Sequence, residues 1–201
     1  MLRLSPHAYL SIEGLSVRHQ FTIIKKILAS KSNVIANYLD LEHIPVHSGL
    51  MACRVLAETD RAACFELTSR VGPFKVRNVH YFEFRPPDQI FHAVKSPLGP
   101  MHIVSTVREF AAATTPHCEV EVVTVIDLPR ALWPVRSLVE RLLRHLNDVV
   151  LREDLTILER RQALFGDWVE DYLHDQECIL FKELFRQYYA SGSGRPARPT
   201  A

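Results

Sequence analysis

Residues 131–165 read ALWPVRSLVERLLRHLNDVVLREDLTILERRQALF. The stretch holds no glycine. Its one proline, Pro134, sits near the start, where a helix tolerates it because the first-turn N–H groups have no intrahelical partner anyway. Apolar residues recur at helical spacing, at Leu132, Val135, Val139, Leu142, Leu143, Leu146, Val150 and Ile157. The spacing predicts one long helix over about 131–165, stopped by Gly166-Asp167. A stripe of that length needs an equally long apolar surface to cover it.

That surface lies upstream. The segment His19 to Ala29 is rich in β-branched and apolar residues and reads as a strand. Six further strand-like runs follow: Leu50 to Ala57, Ala63 to Val71, Phe74 to Phe84, Ile90 to Lys95, His102 to Phe110 and Cys118 to Ile126. The breaks between them carry turn residues, such as R-P-P-D and S-P-L-G-P. Regular spacing with short breaks predicts an antiparallel meander. Lys75 to Phe84 sets Val76, Asn78, His80, Phe82 and Phe84 on one face. The expected class is therefore α+β: a curved antiparallel sheet of about seven strands wrapped around a long C-terminal helix. A cavity between helix and sheet is the natural place for an apolar ligand. Asn78, His80, Phe82, Val122 and Val150 are its candidate lining.

The 201-residue chain is expected to form one domain over 19–189, with an N-terminal arm at 1–18 and a disordered tail at 190–201. Lys+Arg and Asp+Glu, 24 and 23, nearly cancel, which argues against a broad nucleic-acid footprint. No apolar run is long enough for a membrane span, and no secretory signal is visible. The four cysteines, Cys53, Cys64, Cys118 and Cys178, form neither a C-x-x-C pair nor the Cys/His pairs of an iron–sulfur cluster. They read as free thiols of a cytoplasmic protein. The aromatic-rich segment 168–189 gives one or two shorter helices, and on one reading it docks a partner or a second copy of the chain.

Chemistry concentrates at Asn37 to Gly49, N-Y-L-D-L-E-H-I-P-V-H-S-G. A short helix from about Val34 is expected to end near His43, because Pro45 pushes Ile44 out of helical space. Asp40, His43 and His47 then lie close together, and two imidazoles beside a carboxylate suit a divalent transition metal. On spacing alone, the alternative is that one His caps the helix and the other is a surface residue. Asp154 sits in the apolar stripe of the long helix. A carboxylate there needs a cation, a hydrogen-bond donor or a metal. It either pairs with an arginine such as Arg77 or Arg108, or completes a two-His, one-carboxylate face with His43 and His47. Such a face, with open positions, suits non-haem Fe(II) and oxygen chemistry. His80, His92 and His102, scattered over strands, read as satisfied core or edge residues.

D-L-E-H-I-P-V-H at 40–47 and E-D-L-T-I-L-E-R-R-Q at 153–162 carry a resemblance. From about His19 to Phe165 the chain resembles the START-like (SRPBCC) helix-grip superfamily. Within it, the two motifs are most similar to the catalytic domain of Rieske-type non-haem iron ring-hydroxylating oxygenases. The resemblance implies His43, His47 and Asp154 as Fe(II) ligands. It implies Asp40 as the carboxylate that steadies a His and relays electrons from a neighbouring subunit, hence a homo-oligomer. This chain has three residues between the two His where the family usually has four. It carries no Rieske domain, so a separate electron-transfer protein is implied. The function implied is oxygenation of an apolar or aromatic small molecule. The alternative is a non-catalytic START-like module binding a lipid, polyketide or aromatic ligand.

Overall fold

The computed structural model describes residues 16–44, 47, 50–71, 73–96, 99–110, 117–166, 169–176 and 178–185. Seven strands follow in chain order: β1 (Ser16–Ile27), β2 (Leu50–Glu58), β3 (Ala62–Val71), β4 (Phe74–Arg85), β5 (Gln89–Ser96), β6 (Gly99–Glu109) and β7 (Cys118–Pro129). All pair antiparallel in one sheet of order β1-β7-β6-β5-β4-β3-β2. Three α-helices are bounded among the described residues: α1 (Lys31–Leu39), α2 (Arg136–Phe165) and α3 (Val169–Asp175). The helix-grip architecture expected from the sequence is the one observed. The first strand starts at Ser16, so residues 16–18 belong to the sheet and not to an arm. Residues 1–15 and 186–201, which take in the rest of that arm and the whole tail, lie outside the described residues.

Strict alternation explains which face of the sheet turns inward. In β7, Cys118, Val120, Val122, Thr124, Ile126 and Leu128 are buried, and the residues between them are partly exposed. The register carries this face across the sheet: Ile23 opposes Val122, Ser105 opposes Val122, Ile90 opposes Ser105, and Phe82 opposes His92. The concave side thus collects Ile23, Val122, Ser105, Ile90, His92, Phe82, His80 and Phe65.

Two helix expectations are corrected. Residues 130–135 form a 3₁₀ segment, not the first turn of the long helix. Pro134 has no N–H for an α ladder, so the α-helix proper starts at Arg136. The short helix ends at Leu39, four residues before His43. Its last carbonyl accepts the Leu180 N–H at 2.8 Å, and Asp40 turns extended to bridge Ile179. A returning C-terminal segment has taken the acceptor that another helical turn would use. At the other end, the Ser30 side chain caps α1 by accepting from the Asn33 N–H.

The buried stripe of α2 is also narrower than the sequence pattern. Val139 and Leu158 are buried, and Leu143, Leu151 and Leu155 pack against the core. Leu142 and Leu146 are 48% and 51% exposed. The sheet covers one side of the helix, and the apolar positions beyond that side remain outside. Among the described residues of the 168–189 segment, Val169, Leu173, Leu180, Phe181 and Phe185 are buried in the domain's own core. Tyr172 stacks on Phe165 at 4.0 Å. No helix among the described residues is long and apolar enough to cross a membrane. All four cysteines are free thiols.

Candidate functional site

β1 and β2 lie at opposite edges of the sheet, so the connection between them must cross the concave side. Its described residues there are α1, residues 40–44 and His47. Polar bonds hold α1 against α2: Asn33 Nδ2 donates to the Leu158 carbonyl at 3.1 Å, and the Ser30 N–H donates to Gln162 Oε1 at 3.0 Å. This clamp brings the two histidines to the middle of α2.

His43, His47 and Asp154 converge there, with one ligand-type atom from each lying within 4.8 Å of the others. His43 Nε2 is 3.3 Å and His47 Nε2 is 3.2 Å from the same oxygen, Asp154 Oδ1. The rings meet edge-on at 5.1 Å between centroids. Each ring's other nitrogen has an acceptor: His43 Nδ1 donates to the Asp40 carbonyl at 2.5 Å, and His47 Nδ1 donates to Glu153 Oε2 at 3.0 Å. Asn37 Nδ2 donates to Asp154 Oδ1 at 2.8 Å.

The electrostatics follow from these contacts. Burial pushes the Asp154 carboxyl up, but hydrogen bonds from His43, His47 and Asn37 outweigh it and hold the pKa down at about 2. The same Asp154 contact raises His47 above its ordinary value against the opposing effect of burial, with Glu153 adding to the rise. Neither Arg77 nor Arg108 serves as the partner of Asp154; Arg108 bonds Glu121 at 2.7 Å.

Asp40 is placed differently from the expectation. Its carboxylate accepts from the Glu42 N–H and lies 3.7 Å from Arg161 Nη2, while its backbone carbonyl meets His43. The carboxylate that steadies a histidine is Glu153. Asn37 and Glu153 are site residues that the sequence reading passed over. Asn37 stood three residues before Asp40, and Glu153 stood beside Asp154. A surface carboxylate is what position 153 suggests until His47 is known to arrive there.

Beside this cluster, between sheet and α2, lies a cavity of about 460 Å³. His80, Phe82, Val122 and Val150 line it, as do His43, His47 and Asp154. Asn78 is not among its lining residues; it sits partly buried further along β4, opposite Leu67. Leu146 and Val150, both exposed, place the mouth along α2. Tyr38 reaches in from α1; burial raises its phenol to about 12, against the lowering effect of a hydrogen bond to Ser105. His80 and His92, read as scattered, touch: His80 Nδ1 lies 2.7 Å from His92 Nε2.

No protein-family model matches the chain. Comparison with curated proteins likewise finds no match. Solved structures do match. The Zhui aromatase/cyclase from Streptomyces sp. R1128 aligns at TM-score 0.59 and 14% identity, over 72% of this chain and 96% of that one. The protein Ara h 8.0201 aligns at TM-score 0.59 and 8% identity, over 72% of this chain and 99% of that one. The di-domain ARO/CYC BexL from the BE-7585A biosynthetic pathway aligns at 0.58 and 13% identity, over 71% of this chain; the match spans 50% of that protein's length. Likeness at these identities establishes the helix-grip fold. The resemblance to Rieske-type oxygenases finds no support in these neighbours.

Proposed function

We propose that the chain is a START-like small-molecule-binding domain whose cavity takes an apolar, aromatic or polyketide-like ligand. The observation that carries this reading is the cavity itself, about 460 Å³ and bounded mainly by apolar side chains. That volume falls within the roughly 300–1,000 Å³ of small-molecule sites. The names of two structural neighbours, both aromatase/cyclases, support an aromatic or polyketide occupant. Titration with a fluorescent apolar probe such as anilinonaphthalene sulfonate tests it. Saturable one-to-one binding, competed by polycyclic aromatics, is expected. Absence of saturable binding to the folded protein would overturn it.

A second reading is favoured by the convergence of His43, His47 and Asp154. With both Nδ1 atoms bonded to acceptors, a metal would take the place of the Nε2 hydrogens that the rings direct at Asp154, leaving each ring in the tautomer of a metal-ligating histidine. Two ring nitrogens and a carboxylate aimed at one another call for protons or a cation between them. The donor set therefore fits a divalent metal, Fe(II) by the sequence resemblance, held by these three residues. Fe(II) would supply oxygen activation at the polar corner of the cavity. In that role Glu153 and the Asp40 carbonyl orient the rings, Asn37 orients Asp154, and the apolar walls exclude water. Electrons would come from a separate protein. Anaerobic metal loading tests this reading. Stoichiometric Fe(II) or Co(II) in the native protein, abolished in a folded Asp154→Ala variant, supports it; metal content at zero in both sinks it and leaves the binding module.

A further inference from the structure

The cavity wall opposite α2 holds two imidazoles among apolar rings. His80 on β4 and His92 on β5 are diagonal neighbours on the concave face, because His80 opposes Val94 and Phe82 opposes His92. Their rings lie 5.0 Å apart, with one hydrogen bond of 2.7 Å between His80 Nδ1 and His92 Nε2. His80 is 8% exposed and stacks on Phe65 at 5.5 Å and 7°. Its other nitrogen, Nε2, is buried without a hydrogen-bond partner among the described residues. A buried polar atom left in that state is destabilising, and a ligand atom that pairs with it relieves the cost. Both rings line the cavity.

The proton count gives the pair a definite property. Burial lowers His80 to about 4. Burial, and then the charge of His80, lower His92 to about 3. At neutral pH each ring therefore carries one N–H, and one of the two hydrogens fills the shared bond. If His80 Nδ1 donates, its Nε2 is a bare acceptor; if His92 Nε2 donates, His80 Nε2 carries the hydrogen. The outer nitrogen can thus serve as acceptor or donor according to which of two neutral tautomer pairs forms. Passing from the first to the second moves the shared hydrogen from His80 Nδ1 to His92 Nε2, releases the His92 Nδ1 hydrogen to solvent and returns one from solvent to His80 Nε2, with no net charge.

We propose that the His80–His92 pair is the polar recognition element of the cavity, and that it selects aromatic ligands bearing a neutral hydroxyl or carbonyl oxygen. The oxygen pairs with His80 Nε2 while the ligand ring lies along Phe65 and Phe82. A hydroxyl meets the acceptor form and a carbonyl meets the donor form. An anionic group is disfavoured, because a neutral imidazole supplies no countercharge to offset the cost of burying it in an apolar wall. The inference rests on the cavity-binding reading and names the ligand class for it.

The test compares naphthalene with 2-naphthol in the native protein and in a His80→Phe, His92→Phe double variant. Replacing both partners keeps two rings and leaves neither nitrogen unpaired. Native protein is expected to bind 2-naphthol about tenfold tighter than naphthalene, and the double variant is expected to erase that preference while still binding naphthalene. Equal preference in the two proteins overturns the inference but leaves the cavity reading standing. Failure of native protein to bind either compound overturns the cavity reading and the inference with it. Should the double variant not fold, histidine ring ¹⁵N shifts in native protein decide the question. A shift at His80 Nε2 with 2-naphthol and not with naphthalene supports the inference, and no difference between the two overturns it.

Discussion

His80, His92 and His47 give opposite responses to pH, because their environments differ in what they favour. His80 and His92 sit in an apolar wall with each other for company, and burial lowers both, to about 4 and about 3. The unfolded chain then takes up protons that the native pair refuses, so stability falls as pH drops from the ordinary histidine value of 6.5 toward 4. Each proton contributes a slope of about 1.4 kcal/mol per pH unit. His47 has carboxylates on both nitrogens, and its raised pKa acts in the other direction. Its stabilisation is fully present below the unfolded value of 6.5 and is lost as pH rises through the folded one. Urea midpoints for the metal-free protein should therefore fall between pH 6.5 and 5, and the His80→Phe, His92→Phe variant should flatten that limb. An equally steep acid limb in the variant would show that other groups set it.

The clamp between α1 and α2 depends on one buried amide. Asn33 is fully buried, donates to the Leu158 carbonyl and accepts from Arg161 at 3.4 Å. Asn33→Ala should cost about 1–3 kcal/mol, since the carbonyl and guanidinium lose a partner in a buried place. Because α1 leads directly into the His43–His47 segment, the same change should weaken metal uptake if the metal reading holds. Chemical denaturation and metal analysis on one sample give both numbers. The start of β6 depends on Gly99, whose φ of +129° suits glycine alone. A Cβ there would clash with the Asp127 carbonyl oxygen. Gly99→Ala should therefore destabilise by more than about 1 kcal/mol, because the obstacle is backbone of the neighbouring strand and cannot swing away. A melting temperature unchanged from native would contradict this.

The sheet, α1 and α2 together enclose more space than their side chains fill, and the proposed binding rests on that surplus. Val122 stands near the centre of the concave face, 5% exposed, and lines the cavity. Val122→Phe should place a ring in the empty space, leave the circular dichroism spectrum native, and reduce binding of an apolar probe at least about tenfold; overpacking should cost no more than about 1–3 kcal/mol, since the void receives the added atoms. Unchanged probe affinity would mean that the probe sits elsewhere.

Period-two alternation and helical spacing are local properties, and so the seven strands, the long helix and the grip between them were legible in the sequence. The same holds for His43, His47 and Asp154 as candidates, because a carboxylate within an apolar stripe demands a partner wherever the chain folds. What the sequence could not specify were the meetings between distant residues. Whether Asp154 faces an arginine or two histidines depends on where the β1–β2 connection crosses the sheet. Whether Asp40 or Glu153 holds a ring depends on where α1 ends, and a carbonyl captured by Leu180 ended it at Leu39. The His80–His92 contact arises from strand register, in which Phe82 rather than His80 stands opposite His92. Each of these is a contact between segments that are far apart in sequence or set by pairing, so only the tertiary structure decided them.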